Sequence, residues 1–160
     1  MTAYPVLRGP VLFCEQPGYQ LTNFAAFEVT IWRRTWKTTE HAYQASKFTD
    51  GHLQDEIASA RSPDEAKALA HEFKEKSPES VRKDWSPETK LVIMEQILRA
   101  KLEQYPQIQH YLLSTGDRLL VEDNPHDEFW GSGRGGKGEN HLGKLWMKLR
   151  GELCRERMRA

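Results

Sequence analysis

The sequence predicts one α+β domain over residues 1–160, mostly helical and with a small β-sheet. Three observations carry this prediction. Short apolar and alternating segments near the start are typical of strands, and serine-proline pairs open two stretches with helical apolar spacing. A cluster of glycines then precedes a final helical stripe. A chain of this length buries about two thirds of the surface that its unfolded form exposes, which is enough for one core.

The predicted strands are short. Residues 11–13 form an apolar run, and residues 27–31 alternate apolar and polar side chains with the period of a half-buried strand. We expect these two segments to pair in a small sheet. Residues 119–121 indicate a further strand, just ahead of the glycine cluster.

Capping residues mark the helix starts. Thr38 or Thr39 can begin a helix that runs to about Phe48, and Ser62 and Ser86, each followed by proline, begin two more. The helix after Ser86 should end where Tyr105-Pro106 interrupts it. Two apolar stripes with three- and four-residue spacing should face the core. They are Leu91, Met94, Ile97, Leu98 and Leu102, and then Leu142, Leu145, Trp146, Leu149 and Leu153.

Composition excludes several classes of protein. Lysine plus arginine and aspartate plus glutamate each number 23, so no overall field attracts duplex DNA or an anionic membrane. The first ten residues lack the pattern of a signal peptide, and no apolar run approaches the roughly 20 residues of a membrane span. We therefore expect a cytoplasmic protein. Cys14 and Cys154 match no metal spacing and are expected to stay reduced, and the histidines are scattered without ligand spacing.

The glycine cluster is the first candidate site. Five of the eleven glycines lie within residues 131–138, after Asp127 and Trp130. The segment fits the letters of a dinucleotide fingerprint and of a phosphate loop, but it lacks the βαβ context of the first and the serine or threonine that the second needs after its lysine. Two interpretations remain. The amides can form an anion-binding nest, helped by Arg134 and Lys137, or the segment is a flexible surface loop.

The helix predicted after Thr38 is the second candidate site. Glu40, Tyr43, Gln44 and Lys47 lie three or four positions apart and share one helix face. An acid, an amine and hydrogen-bonding groups on one face are suited to catalysis. The alternative is an exposed amphipathic helix with a stripe of opposite charges.

The chain resembles the YbiA-like, or NADAR, N-glycosidases from about Phe13 to Arg150. It departs from the family pattern at Leu21-Thr22, where Phe-Ser is usual, and at Lys37, where proline is usual. These departures bear on substrate preference more than on the reaction. The motifs that carry the resemblance are Asn23-Phe24, residues 36–48, Arg82-Lys83-Asp84-Trp85, Arg99-Ala100-Lys101-Leu102, Leu120-Val121-Glu122, Asp127 with Trp130-Gly131, and Asn140-His141-Leu142-Gly143.

The resemblance implies hydrolysis of a bond between a ribose anomeric carbon and an amine. A carboxylate can stabilise the cationic sugar, and the departing amine needs a proton. Glu40 and Asp127 are the expected acids, converging on one cleft, in an order that the sequence does not assign. Lys47 is a cation for phosphate, a partner of Glu40, or an amine that traps the opened sugar as a Schiff base. The expected substrate-binding residues are Asn23, Trp85, Trp130, Gly131, Gly136, Lys137 and Gly138.

The resemblance also implies the substrate classes. Phosphoribosylamino-pyrimidine intermediates of riboflavin synthesis are the expected substrates, and ADP-ribosylated guanine is the alternative. A non-catalytic module that binds ADP-ribose or another nucleotide is a second alternative, although it leaves the paired acids unexplained. A member that acts as an antitoxin would be expected beside a toxin gene. No metal, flavin or nicotinamide is indicated as a cofactor.

Overall fold

A computed structural model describes residues 9–14 and 18–160 of the chain. Within these residues, short 3₁₀ turns at Tyr19–Leu21, Pro78–Ser80 and Arg134–Gly136 accompany ten longer elements. The strands are β1 (Val11–Phe13), β2 (Val29–Ile31), β3 (Arg34–Trp36) and β4 (Leu120–Glu122). The helices are α1 (Thr39–Ser46), α2 (Gly51–Ser59), α3 (Pro63–Lys76), α4 (Pro87–Gln104), α5 (Pro106–Ser114) and α6 (His141–Arg159).

The predicted class, a mostly helical α+β fold, is confirmed. The chain forms two compact units, of which the first combines the described residues up to Thr22 with Gln107–Ala160 and the second is Asn23–Pro106. The description of residues 1–160 as one domain stays a prediction. No helix among the described residues combines the length and the apolar character that crossing a membrane requires.

The first unit is built on a parallel pair of strands. β1 pairs with β4, with Val11 opposite Leu120 and Phe13 opposite Glu122. Phe13 and Leu120 are fully buried, and α6 packs against β4. Trp146 on α6 is also fully buried, and its indole Nε1 donates to the Leu21 carbonyl at 2.9 Å. The predicted strand near residues 119–121 is therefore confirmed, as is the apolar stripe of the last helix except for the partly exposed Leu153.

The predicted pairing of residues 11–13 with residues 27–31 is wrong. β2 instead forms an antiparallel hairpin with β3, in which Ile31 is paired with Arg34 across a two-residue loop. Trp32 and Arg33 fill that loop with φ angles of 54° and 62°. Hairpin loops of this kind favour asparagine and glycine, so the Trp-Arg pair gives no turn signal in the sequence.

The second unit surrounds α1 with three helices, since α1 packs against α2, α3 and α4. The predicted caps are confirmed. Thr38 accepts from the His41 amide at 3.3 Å, Ser62 from the Glu65 amide at 3.1 Å, and Ser86 from the Thr89 amide at 3.2 Å. A new helix, α5, begins at Pro106, where the interruption is predicted.

The apolar stripe of α4 is buried as predicted, except for the partly exposed Leu91. Ile97 and Leu98 are fully buried, as is Met94 one turn earlier. α2 has no counterpart among the predicted elements. Asp50 begins it by accepting from the His52 amide at 2.8 Å.

Candidate active site

The α1 helix lies in the interior of the second unit rather than on its surface. Glu40 is 7% exposed and Gln44 only 3%, and every residue from Thr39 to Ala45 is buried. An exposed amphipathic helix, the alternative considered for this segment, is therefore wrong. Burying a carboxylate costs free energy unless hydrogen bonds or opposite charges stabilise it, so the surroundings of Glu40 bear directly on its role.

The Glu40 side chain is held by its neighbour one turn along the helix. Gln44 Nε2 donates to Glu40 Oε1 at 2.5 Å. The carboxylate can only accept when ionised, so this contact fixes which end of the Gln44 amide faces Glu40. The other end, Gln44 Oε1, is buried and has no hydrogen-bond partner among the described residues. A buried acceptor without a donor is unusual in folded proteins, which makes Gln44 Oε1 a place where a ligand donor can bind.

Asn23 fixes the start of α1. Its backbone carbonyl accepts from the Glu40 amide at 3.1 Å. Its backbone carbonyl and its side-chain Oδ1 share the single hydroxyl hydrogen of Thr39, with Oγ1 at 3.1 and 3.0 Å. Asn23 Nδ2 faces the Met94 sulfur at 3.5 Å, a weak acceptor. The predicted ligand-binding asparagine thus also positions the helix that carries Glu40.

Lys47 lies at the carboxyl end of the α1 face. Its Nζ lies 5.2 Å from the ring centroid of Tyr43. Burial lowers the pKa of Lys47 to about 8 from an ordinary 10.5, and the negative charge of Glu40 opposes part of that change. An amine with this pKa is still mainly protonated at neutral pH, yet it releases its proton far more readily than an exposed lysine does.

Trp85 is placed beside the same face. The turn that carries it is attached to α1, because the Arg82 amide donates to the Lys47 carbonyl at 2.8 Å and the Trp85 amide donates to the Arg82 carbonyl at 3.2 Å. The Trp85 and Tyr43 rings lie 5.7 Å apart, tilted by 45°. Trp85 is partly exposed, so its indole can still contact a ligand.

Lys37, one of the departures from the family pattern, has a structural role. Its Nζ donates to the Ser59 and Ala60 carbonyls at 3.1 and 2.7 Å, where α2 ends and a positive charge is favourable. The buried ring of His41 bridges the Thr38 hydroxyl and the same Ala60 carbonyl, at 2.8 and 3.2 Å. Burial lowers the pKa of His41, so this histidine is neutral and structural.

Lys101 was not among the predicted site residues, yet it is fully buried. Burial lowers its pKa to about 7, and its Nζ lies 5.3 Å from the Phe27 ring centroid. A signal for it exists in the sequence, because Lys101 lies four residues after Ile97 and three after Leu98 on the apolar face of α4. A lysine on that face must be buried.

In the first unit, Asp127 organises the loop that precedes α6. Its Oδ1 accepts from the Phe129 amide at 3.0 Å and from the Trp130 amide at 2.7 Å. Aspartate side chains commonly bind the backbone two or three residues ahead in this way. One carboxylate oxygen of Asp127 is thus engaged in holding the turn.

The glycine loop binds its own backbone, and the structure does not support an amide nest. The amides of Gly133, Gly136 and Gly138 donate to the carbonyls of Asn124, Gly133 and Ser132, at 3.0, 3.2 and 2.6 Å. The carbonyl of Gly131 in turn accepts from the Asn140 amide at 3.0 Å. Amides that already donate to protein carbonyls are not available to a phosphate.

The side chains around the glycine loop carry both positive and negative charges. Arg134 and Lys137 are exposed and can reach an anion. A cavity of about 540 Å³ beside the glycines is lined by two carboxylates, Asp123 and Glu139, and by one cation, Lys144. The surroundings of Arg134 and Lys137 are therefore more favourable for an anion than the inside of that cavity.

Trp130 is partly buried at the start of α6. Its ring meets the Phe129 ring edge to face at 4.8 Å and lies 6.5 Å from the His141 ring. Its carbonyl accepts from the Leu142 amide at 3.1 Å. These contacts give Trp130 a structural role in the first unit, and its stacking on a ligand stays a prediction.

The structure thus brings together Asn23, Glu40, Lys47 and Trp85 within the second unit, and Asp127, Trp130 and the glycines within the first. The convergence of Glu40 and Asp127 on one ligand stays a prediction. Gln44 and Tyr43 share the α1 face with Glu40 and Lys47, as their spacing predicts, but they were not among the predicted site residues. Over residues 9–14 and 18–160, no group of three or more His, Cys, Asp or Glu side chains is arranged to bind a metal ion.

Comparisons with known proteins identify the family of the chain. Residues 12–154 match the model of the NADAR domain. The N-glycosidase YbiA of Escherichia coli is 38% identical over 136 residues, covering 85% of this chain and 82% of that protein. The NMR structure of E. coli YbiA superposes with a TM-score of 0.80 at 34% identity and covers 95% of this chain and 89% of that one.

Two longer relatives carry riboflavin in their names. The chloroplastic riboflavin biosynthesis protein PYRR of Zea mays is 43% identical over 125 residues, which are 74% of this chain but only 20% of that protein. The riboflavin biosynthesis protein VVA0006 of Vibrio vulnificus is 35% identical over 151 residues, 92% of this chain and 40% of that protein. The match across most of this chain and the shared fold show that the chain belongs to the NADAR domain family.

Proposed function

We propose that this protein hydrolyses the N-glycosidic bond between a ribose and an amine in phosphoribosylamino-pyrimidine intermediates of riboflavin biosynthesis. The names of the relatives support both the reaction and the pathway. The structural observation that carries the proposal is the buried Glu40 carboxylate, held by Gln44 on a helix face that also presents Lys47. A buried acid and a partly buried amine on one helix face are costly for stability, and such costs are typical of functional sites.

Glu40 acts on the sugar side of the bond. As the carbon–nitrogen bond breaks, positive charge develops on the ribose, and an ionised carboxylate nearby stabilises that charge. Glu40 also accepts the proton of the attacking water, whose oxygen forms the new bond to the anomeric carbon. The Gln44 amide restricts the Glu40 side chain to one orientation, which keeps the carboxylate positioned for this step.

Lys47 acts on the leaving side. Its pKa of about 8 leaves it mostly protonated at neutral pH while making it a better proton donor than an ordinary lysine. Donating that proton to the departing amine completes the hydrolysis. The smaller deprotonated fraction is nucleophilic and can attack the opened sugar, which is the Schiff-base route.

Trp85, Asn23 and Gln44 are the proposed binding residues of the second unit. Trp85 offers an indole face to the flat pyrimidine, next to the Tyr43 ring. Gln44 Oε1 accepts from a hydroxyl or amino group of the substrate, which satisfies the acceptor that lacks a partner among the described residues. Asn23 keeps the helix start in place and can present its Nδ2 to the substrate.

Asp127, Trp130 and the glycine loop are the proposed functional residues of the first unit. Asp127 is the candidate second acid, although its Oδ1 also holds two backbone amides. Because the amides of Gly136 and Gly138 are engaged, the phosphate of the substrate is assigned to the exposed side chains of Lys137 and Arg134. Trp130 is a second stacking surface.

Release of ribose 5-phosphate from a phosphoribosylamino-pyrimidine, followed by mass spectrometry, tests the proposal. Glu40→Gln keeps an acceptor for Gln44 but removes the charge, so we expect at least about a hundred-fold loss of turnover with little change in stability. Glu79→Gln, an exposed glutamate of the same unit, is the matched control and should retain full activity. Full activity of Glu40→Gln would exclude Glu40 from the reaction.

Borohydride added during turnover separates the two roles of Lys47. A reduced sugar adduct on the peptide that contains Lys47 requires the covalent route. Turnover without such an adduct supports proton donation instead. Lys47→Arg keeps the charge but loses both an accessible proton near neutral pH and the nucleophile, so it should be inactive by either route.

A further inference from the structure

The hairpin between β2 and β3 carries an unexpected residue pair at its tip. Trp32 and Arg33 both have positive φ angles, 54° and 62°, in a two-residue loop. Large side chains disfavour this left-handed conformation, whereas asparagine and glycine adopt it readily. Trp32 is also 43% exposed, so burial in the core does not explain its presence. A strained backbone position that holds a large, exposed aromatic side chain indicates a binding role for that side chain.

Trp32 forms one wall of a large cavity in the second unit. The cavity has a volume of about 840 Å³, within the size range of small-molecule sites. Trp36 and Phe48 contribute apolar surface, and Arg34, Arg82 and Lys83 contribute positive charge. Glu40, Gln44 and Lys47 do not line this cavity. It is therefore separate from the side chains assigned to hydrolysis.

A second cavity of about 480 Å³ continues from the first. Trp32, Arg82 and Asp84 line both. The far side is formed by the start of α4, where the exposed Val92 adds apolar surface. The Trp32 indole is thus open to two adjoining hollows, and a flat ring can be placed against it.

The charges of the cavity favour an anion. Arg34 pairs with Asp55 at 2.7 Å while its guanidinium lies 4.8 Å over the Trp36 ring, and Arg82 pairs with Asp84 at 2.6 Å. Lys83, in contrast, is exposed. Asp55 and Asp84 offset two of the three cations, so the cavity keeps one excess positive charge, that of Lys83. An arginine at a cavity wall can exchange a carboxylate for a phosphate, since each offers two oxygens to the paired N–H donors of the guanidinium.

We propose that this cavity binds a planar heteroaromatic ring that carries a phosphate, with the ring stacked on Trp32 and the phosphate facing Lys83 and Arg82. This binding site is additional to the hydrolytic residues on α1. The ligand can be a free mononucleotide or one nucleotide of a longer strand, because both present the same ring and phosphate. The strained turn is then retained because a tryptophan at its tip supplies the stacking surface.

Calorimetric titration of the full chain with matched compounds tests the proposal. Adenosine monophosphate and flavin mononucleotide each present a ring with a phosphate, and adenosine and riboflavin present the same rings without it. We expect at least one of the two phosphates to bind with a Kd below about 1 mM, and its uncharged partner to bind several-fold more weakly. A short single-stranded oligonucleotide, compared with the mononucleotide, distinguishes the two sources of ligand.

Two hairpin variants separate binding from folding. Trp32→Asn places a residue that accepts the left-handed conformation at the tip, so the melting temperature should hold or rise while affinity falls about 5- to 100-fold. Arg33→Gly relieves strain in the same loop but keeps the indole, so affinity should stay within about two-fold of the wild type. Lys83→Ala should weaken the phosphate compound and leave its uncharged partner nearly unaffected.

Three outcomes would overturn the proposal. They are the absence of saturable binding by both phosphates, equal affinity of Trp32→Asn and the wild type, and an equal loss in Arg33→Gly and Trp32→Asn. Glu40→Gln provides the comparison with the hydrolytic residues. Binding at the Trp32 cavity should be unchanged in that variant, so failure of the proposed hydrolysis and failure of this proposal give different results.

Discussion

The partly buried amine of Lys47 should reduce the stability of the protein at neutral pH, and Lys47→Met should restore that stability. The gap between the ordinary pKa of 10.5 and about 8 in the folded state corresponds to about 3 kcal/mol, at about 1.36 kcal/mol per pKa unit. Methionine has a similar length and no charge. It also gives up the contact between Lys47 Nζ and the Tyr43 ring, worth about 0.5–1 kcal/mol. We therefore expect the variant to be about 2 kcal/mol more stable at pH 7.

The pH dependence follows from the direction of the pKa change. Below pH 8 both folded and unfolded chains carry a protonated Lys47, and the folded state bears the full cost of burying the charge. Between pH 8 and 10.5 the unfolded state binds more protons than the folded state, so the destabilisation that Lys47 causes in the wild type decreases as pH rises. Above 10.5 the cost is absent. The advantage of Lys47→Met should therefore shrink steadily from pH 8 to pH 10.5.

Urea denaturation of both proteins at pH 7 and pH 10 measures this difference. Other titrating groups, including Lys101, are present in both proteins, so their contributions to the free energy of unfolding cancel when the two proteins are compared at the same pH. Lys144→Met, exposed on α6, is the control and should change stability by less than about 0.5 kcal/mol. A Lys47→Met protein that is no more stable than the wild type at pH 7 would refute the account, as would an advantage that does not depend on pH.

The remaining predictions concern the first unit. Gly138→Ala should lower the melting temperature strongly, because a Cβ at that position would lie 2.5 Å from the Gly131 carbonyl oxygen. Gly135→Ala should reduce the stability by only about 1 kcal/mol. Its Cβ would meet nothing within 4 Å, and only the φ angle of 66° is unfavourable. Thermal melts of the two variants check this order. Asp127→Ala should lose about 0.5–2 kcal/mol in denaturant titrations by freeing two amides, while Asp127→Asn keeps an acceptor and should be nearly as stable as the wild type. If Asp127→Asn is stable and fully active, Asp127 is structural and not the second acid.

The helices were largely predictable because their signals are local. Threonine or serine caps at Thr38, Ser62 and Ser86 each bind the amide that the sequence indicates. The strand pairing was not predictable in the same way. β1 and β4 are separated by most of the chain, and the loop of the β2–β3 hairpin contains no glycine or asparagine. Pairing between distant segments depends on packing of the whole chain, which no short pattern encodes.

The candidate site was partly predictable. The spacing of Glu40, Gln44 and Lys47 places them on one helix face, but it does not show that the helix is buried, because its mixture of polar and apolar residues is equally typical of an exposed helix. The glycine cluster correctly indicates a tightly turned loop. It does not show that the loop amides bind one another, since the same glycines serve a nest and a self-bonded turn.

The most direct test of the account is the rate of ribose 5-phosphate release from a phosphoribosylamino-pyrimidine by the wild type and by Glu40→Gln, measured on proteins with the same melting temperature. We expect turnover by the wild type and at least about a hundred-fold slower release by the variant. Equal rates in the two proteins would contradict the assignment of Glu40 as the carboxylate that acts on the sugar, and no release by either would contradict the proposed reaction.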